Sequence, residues 1–94
     1  MHIQWTKRAS ENLDAIEQHI EKDNPVAAAK AALRILTAVS LLQEHPELGR
    51  PGRVLGTREL VIPQSAYIVP YAIKADKIYI LRVFHAAMQW PAQF

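Results

Sequence analysis

The sequence predicts an α+β fold: an N-terminal strand and an antiparallel helical hairpin packed on a small, mostly antiparallel sheet, in the order β-α-α-β-β-β. Two observations predict it. Apolar residues between Ala9 and Leu42 recur at helical spacing, interrupted once at Asn24-Pro25, whereas those after Arg58 alternate at period two. The turn-rich run Gly49-Arg50-Pro51-Gly52-Arg53 separates the two patterns. Ninety-four residues hold one such domain, expected to span 1–94.

Ile3 and Trp5 alternate with His2 and Gln4, which predicts a short first strand. Thr6 is placed to cap the next helix, whose buried stripe is Ala9, Leu13, Ile16 and Ile20. Glu11, Asp14, Glu17 and Glu21 lie mostly off that stripe. Asn24 followed by Pro25 is a cap and a first helical residue. The second helix then carries Ala28, Ala32, Ile35, Leu36, Val39 and Leu42 on one side, with small residues that let two helices approach closely. Pro46 stops it. Three strands follow, near Arg58–Ile62, Tyr67–Ile73 and Ile78–His85, the last two joined by a hairpin at Lys74-Ala75-Asp76-Lys77. Pro70 cannot donate to a sheet ladder, so it calls for an edge position or a bulge. In the last strand Ile78, Ile80 and Phe84 share one face, and Tyr79, Leu81 and Val83 the other. Both faces are apolar. The helices can cover one, and the other awaits the C-terminal tail or a second chain.

Half the residues are apolar and about a fifth are charged, the balance of a globular chain. There is no cysteine, so disulfides, thiolate nucleophiles and thiolate metal sites are excluded, which fits a reducing cytoplasm. Met1 to Trp5 lacks the apolar core of a signal peptide. Lys30 and Arg34 interrupt the most apolar stretch and argue against a membrane span. The charge is uneven. Residues 1–49 carry five Lys or Arg against seven Asp or Glu, and residues 50–94 carry six against two. The basic half suits an anionic partner, a nucleic acid or an acidic protein segment.

His2, His19, His45 and His85 form no metal-ligand spacing with each other or with carboxylates. With only three glycines there is no phosphate-binding loop, and no serine sits in a nucleophile motif. Neither a metal nor a cofactor is expected. What remains is Arg50, Arg53, Arg58, Arg82 and His85. Metal-free RNA cleavage needs an acid, a base and cations for the phosphate, which Arg58, Arg82 and His85 could supply. The alternative is structural: Arg82 and Arg58 pair with Glu59 or cap carbonyls, and His85 is a core histidine at a strand end.

The segment from Trp5 to Ile20, with its "NLDAI..HI", the helix "NPVAAAKAALRI", and the runs "GRPGR…GTREL" and "LRVFH…WP" together resemble the RelE/ParE toxins of bacterial type II toxin–antitoxin systems. The resemblance covers residues 3 to 91. It implies the fold predicted above, a cognate antitoxin, and assembly with it into a hetero-oligomer. The family divides into RelE-like members, which cut messenger RNA in the ribosomal A site, and ParE-like members, which inhibit DNA gyrase. RelE-like nucleases carry an arginine just after the aromatic that opens the penultimate strand, where this chain has Ile68 after Tyr67. Its tail, Ala86 to Pro91, has no titratable side chain and resembles the ParE branch. The resemblance therefore implies an inhibitor that binds gyrase through Met88, Gln89 and Trp90, with a ribosome-dependent nuclease or a non-toxic antitoxin-binding protein as alternatives. Trp90 could instead fold back to close the core. The antitoxin is expected on the second sheet face or an adjoining groove, against Arg53, Arg58, Tyr71, Ile78, Ile80, Arg82 and Phe84, with Arg82 meeting a carboxylate of Glu59 or of the partner.

Overall fold

Thr6 accepts the Ala9 N–H through its hydroxyl oxygen and starts α1 (Lys7–Glu21). The same hydroxyl donates to the Ile80 carbonyl at 2.7 Å, which fastens the helix start to the sheet. Asn24 caps α2 (Pro25–Ser40) in the same manner, with Pro25 in the first turn. A 3-10 turn, Leu41–Gln43, extends it. The computed structural model describes residues 1–94 and places the strands at His2–Trp5 (β1), Arg50–Pro51 (β2), Arg58–Val61 (β3), Tyr67–Lys74 (β4), Lys77–Ile80 (β5) and Phe84–His85 (β6). The predicted α+β class and element order hold. The loop after α2 contributes the additional short strand β2, and the last predicted strand is divided in two.

The sheet runs β1-β5-β4-β3-β2, with β6 also pairing β4. Only β1 and β5 are parallel; the other pairs are antiparallel. The two helices cover one face. Ala9 and Leu13 of α1 and Ala32, Ile35, Ala38 and Val39 of α2 pack with Leu42 on Leu60, Ile62, Val69, Tyr71, Ile78, Ile80 and Val83. Leu36, predicted on the buried side, is exposed. The stretch Pro25–Gln43 is long and apolar enough, by length and composition, to cross a membrane. Here a third of it is buried, against α1 and the sheet, and Val26, Leu33, Leu36 and Leu41 are left outside.

Pro70 lies in the central strand, not at an edge. Its carbonyl accepts from Leu81 N–H, so its missing N–H faces the same neighbour. There the neighbour is irregular. Between the Tyr71↔Ile80 and Ile68↔Phe84 pairs, β4 contributes Val69 and Pro70 while the partner contributes Leu81, Arg82 and Val83. The extra residue is a β-bulge, which is the second of the two placements a strand proline permits. It also overturns the expected side-chain parity. One added residue flips everything beyond it, so Val83 joins Ile78 and Ile80 beneath the helices and Phe84 turns to the opposite face.

The bulge is held from α1. Asn12 Oδ1 accepts from Arg82 Nε at 2.9 Å and from the Val83 N–H at 3.1 Å. Asn12→Leu should remove both partners and cost about 1–3 kcal/mol, the usual penalty for stranding a buried donor. Melting by circular dichroism, together with faster amide exchange at Val83 and little change at Val69, is the expected outcome.

Candidate functional site

The second sheet face, away from the helices, carries Glu59, Ile68, Pro70, Ala72 and Phe84, all buried. No helix covers them. The loop around β2 and the C-terminal tail do.

Glu59 is the only buried charged residue, at 3% exposure. Arg50, its cross-strand partner, donates Nη2 to Oε1 at 3.1 Å. On the other oxygen, Arg53 contributes its backbone N–H at 2.7 Å and its guanidinium at 3.3 Å. Burial acts to raise the Glu59 carboxyl. The Arg53 N–H, the Arg50 hydrogen bond and the two arginine charges outweigh it and hold the group below its ordinary value. Two half-exposed guanidiniums are thus fixed by one carboxylate, and the cluster keeps a net positive charge.

Arg53 also stands over Trp90, with Cζ 3.7 Å from the ring centroid. Trp90 packs edge-on against Phe84 at 4.8 Å, and Phe94 closes on Phe84 from 5.8 Å. Arg82 stands over Phe84 at 4.7 Å. The tail is therefore anchored by an aromatic cluster, which covers Phe84 as the fold-back alternative requires. The anchoring is imperfect, because the Trp90 indole N–H is buried without a hydrogen-bond partner. Met88 and Gln89 face outward.

The three residues weighed for RNA cleavage do not converge. Arg82 and His85 line one groove, between α1 and the tail, with Asn12, His19, Tyr67 and Met88. His85 sits edge-on to Tyr67 at 5.6 Å and accepts the Ala87 N–H through Nδ1. Arg58 is elsewhere: it pairs with Tyr71, whereas His85 pairs with Tyr67 across the opposite edge of β4. Four residues of strand separate those points by roughly 13 Å. The Arg58 Nη1 donates to the Gly49 carbonyl at 2.7 Å, so this arginine caps a loop. No group of three His, Asp or Glu side chains is arranged to hold a metal ion.

The expected antitoxin contacts separate into two sets. Tyr71, Ile78 and Ile80 are fully buried beneath the helices, and Phe84 is sealed by Trp90 and Phe94. In the free chain none of these four side chains reaches the surface: the helices cover the first three and the tail covers Phe84. Arg53, Arg58 and Arg82 remain partly accessible. Arg82 does not meet Glu59; its internal partners are the Asn12 amide oxygen and the Phe84 ring. Sequence reasoning missed Asn12 and the convergence of Arg50 and Arg53 on Glu59. One signal was available for the latter: Glu59 and Asp76 are the only acids after residue 50, and Glu59 stands among arginines.

Residues 3–90 match the family model described as the ParE toxin of the type II toxin–antitoxin system parDE. A Sinorhizobium fredii protein named toxin Y4kP is 54% identical over 89 residues, covering 95% of this chain and 92% of that protein. Toxin RelE2 of Caulobacter vibrioides is 39% identical over 85 residues, covering 90% and 94%. Among solved structures, a chain of the chromosomal ParDE TA system from P. aeruginosa superposes with a TM-score of 0.84 at 34% identity, covering 90% of this chain and 95% of that one.

Proposed function

The chain belongs to the ParE toxin family of type II toxin–antitoxin systems, and from this premise we propose that it arrests growth by binding DNA gyrase and is neutralised by a cognate antitoxin. The observation that carries the reading is the separation of Arg58 from Arg82 and His85, which keeps the three residues weighed for RNA cleavage from acting on one phosphate. An inhibitor that acts by binding needs a presented surface instead. The tail offers one: Met88 and Gln89 project from a segment pinned by Trp90, Phe84 and Arg53. Methionine and tryptophan are both enriched in interface cores.

The test is inhibition of purified gyrase supercoiling by the wild type and by Met88→Glu/Gln89→Lys. Both substituted side chains are exposed, so the double variant should melt like the wild type. The expected result is at least a roughly 10-fold loss of inhibition with antitoxin binding unchanged. A wild type without effect on gyrase overturns the target. Full inhibition by the double variant overturns the role of the tail.

A second reading rests on the groove that holds Arg82, His85, Tyr67 and His19 together, a cation, two imidazoles and a phenol on a pocket of about 320 Å³. Ribosome-dependent cleavage of messenger RNA would use it, with His85 as acid or base. A translation assay that maps cut sites, run beside the gyrase assay, separates the readings. Cleavage abolished by His85→Ala with gyrase untouched favours the nuclease.

A further inference from the structure

The chain's own tail covers Phe84 on the second sheet face, and exposed apolar side chains gather instead along α2 and the edge of β3. A groove of about 430 Å³ runs between the outer side of α2 and the Pro63-Gln64 turn, lined by Lys30, Leu33, Arg34 and Leu41. It continues into a second hollow of about 260 Å³ beside Leu48 and Val61, sharing Ala38, Leu41 and Pro63. Leu33, Leu41, Leu48 and Val61 are 65%, 51%, 52% and 48% exposed. Large apolar side chains open together along one groove mark an interaction surface.

Two further observations say what fits it. The first is charge. Lys30 and Arg34 flank the groove, and α2 carries no Asp or Glu between Pro25 and Ser40. A second copy of the chain would bring like charges together, whereas an acidic segment would complement them. The second is the sheet edge. β2 pairs only with Arg58 and Glu59, so β3 beyond them has no outer neighbour. Ile62 N–H bonds back to Tyr67, and Glu59 pairs outward with Arg50. Alternation therefore points the Val61 N–H and C=O outward, away from β4 and beyond the last pair of β2, where Leu48 lies alongside without a backbone bond to them. A lipid surface has nothing to pair with these groups, but an extended peptide does.

We infer that this groove, rather than the centre of the second sheet face, receives the antitoxin: an acidic segment with apolar anchors that seats on Leu33 and Leu41, places carboxylates against Lys30 and Arg34, and runs along the edge of β3 at Val61. The inference rests on the antitoxin reading above and specifies its site.

Titration calorimetry of the full chain with the full-length antitoxin encoded beside its gene tests it. Leu33→Glu/Leu41→Glu places negative charge where the acidic segment would lie. It should weaken binding by about 30-fold or more, the loss expected for an interface centre. Leu55→Glu, on a fully exposed loop residue, should bind as the wild type does. Amide exchange of the unaltered chain gives a readout that needs no variant: Val61 should slow on binding. If the wild type binds and the double variant binds equally well with Val61 unprotected, the groove is wrong and the antitoxin reading stands. If the wild type does not bind the antitoxin, that reading fails first. Self-association of the wild type in sedimentation, lost in the double variant, would make a second copy the occupant and overturn the inference.

Discussion

Replacing Glu59 by alanine is expected to lower the melting temperature by roughly 10–20 °C, as a loss of about 2–3 kcal/mol gives in a domain of this size. The side chain is buried, and its two oxygens serve the Arg53 N–H, the Arg53 guanidinium and Arg50. Both arginines are half-exposed, so water screens the ion pairs. Most of the loss comes from stranding the Arg53 N–H and freeing two like charges. The acid limb has a defined sign. The carboxyl is held below its ordinary value in the fold, so its stabilisation is present above the unfolded value and disappears as pH falls through the folded one. Wild-type melting should therefore decline between about pH 5 and pH 3, near and below the ordinary carboxylate range. Glu59→Gln, which keeps an acceptor for the Arg53 N–H, should lose less stability and show a flatter decline. Arg53 is also the cover of Trp90, so loosened packing should shift the tryptophan fluorescence of the alanine variant.

Gly49→Ala is expected to be comparably severe for a different reason. A methyl group there would meet the Tyr71 ring at 2.6 Å, its hydroxyl at 2.7 Å and the Glu59 carbonyl at 2.9 Å. Tyr71 cannot retreat. It is fully buried, accepts the Gly49 N–H at 2.8 Å and donates to the Pro46 carbonyl at 2.7 Å. Overpacking against an immobile side chain typically costs 1–3 kcal/mol, and here both hydrogen bonds would be disturbed as well, for a total of about 3 kcal/mol. Urea unfolding should show a lower midpoint at unchanged slope. A midpoint equal to the wild type would mean that the loop moves away as a unit. Burial raises the Tyr71 hydroxyl above its ordinary value, with the Gly49 N–H and the Arg58 charge working against it.

Local signals carried most of the architecture. Thr6, Asn24-Pro25 and the Lys74–Lys77 turn mark element ends because caps and tight turns are chemistry between near neighbours. The division of the last strand was not legible. Period-two alternation persists through Leu81, Arg82 and Val83, and one inserted residue reverses the faces without altering composition. Pro70 was the available clue, but its irregularity had to be sought in the opposite strand. The site followed the same division. The arginines and the tail were visible as types, whereas their partners, Glu59 for two of them and Asn12 for a third, depend on contacts distant along the chain. The four apolar residues assigned to a partner are covered within the chain itself, Tyr71, Ile78 and Ile80 by the helices and Phe84 by the aromatic tail.

The parallel pairing of β1 with β5 sets an order of events during synthesis. His2 meets Lys77 and Trp5 meets Ile80, so the first strand emerges long before the segment that completes its ladder exists. The Thr6 hydroxyl waits for the same Ile80 carbonyl. Pairings this distant in sequence form slowly, since the whole intervening loop must be closed before any contact rewards it. A nascent chain can assemble the α1–α2 hairpin from local contacts, but it cannot close the sheet or seat its tail until translation is nearly finished. Truncated products should thus keep at most the helical hairpin, and the finished surface, sheet edge and tail together, exists only once the last residues have been released.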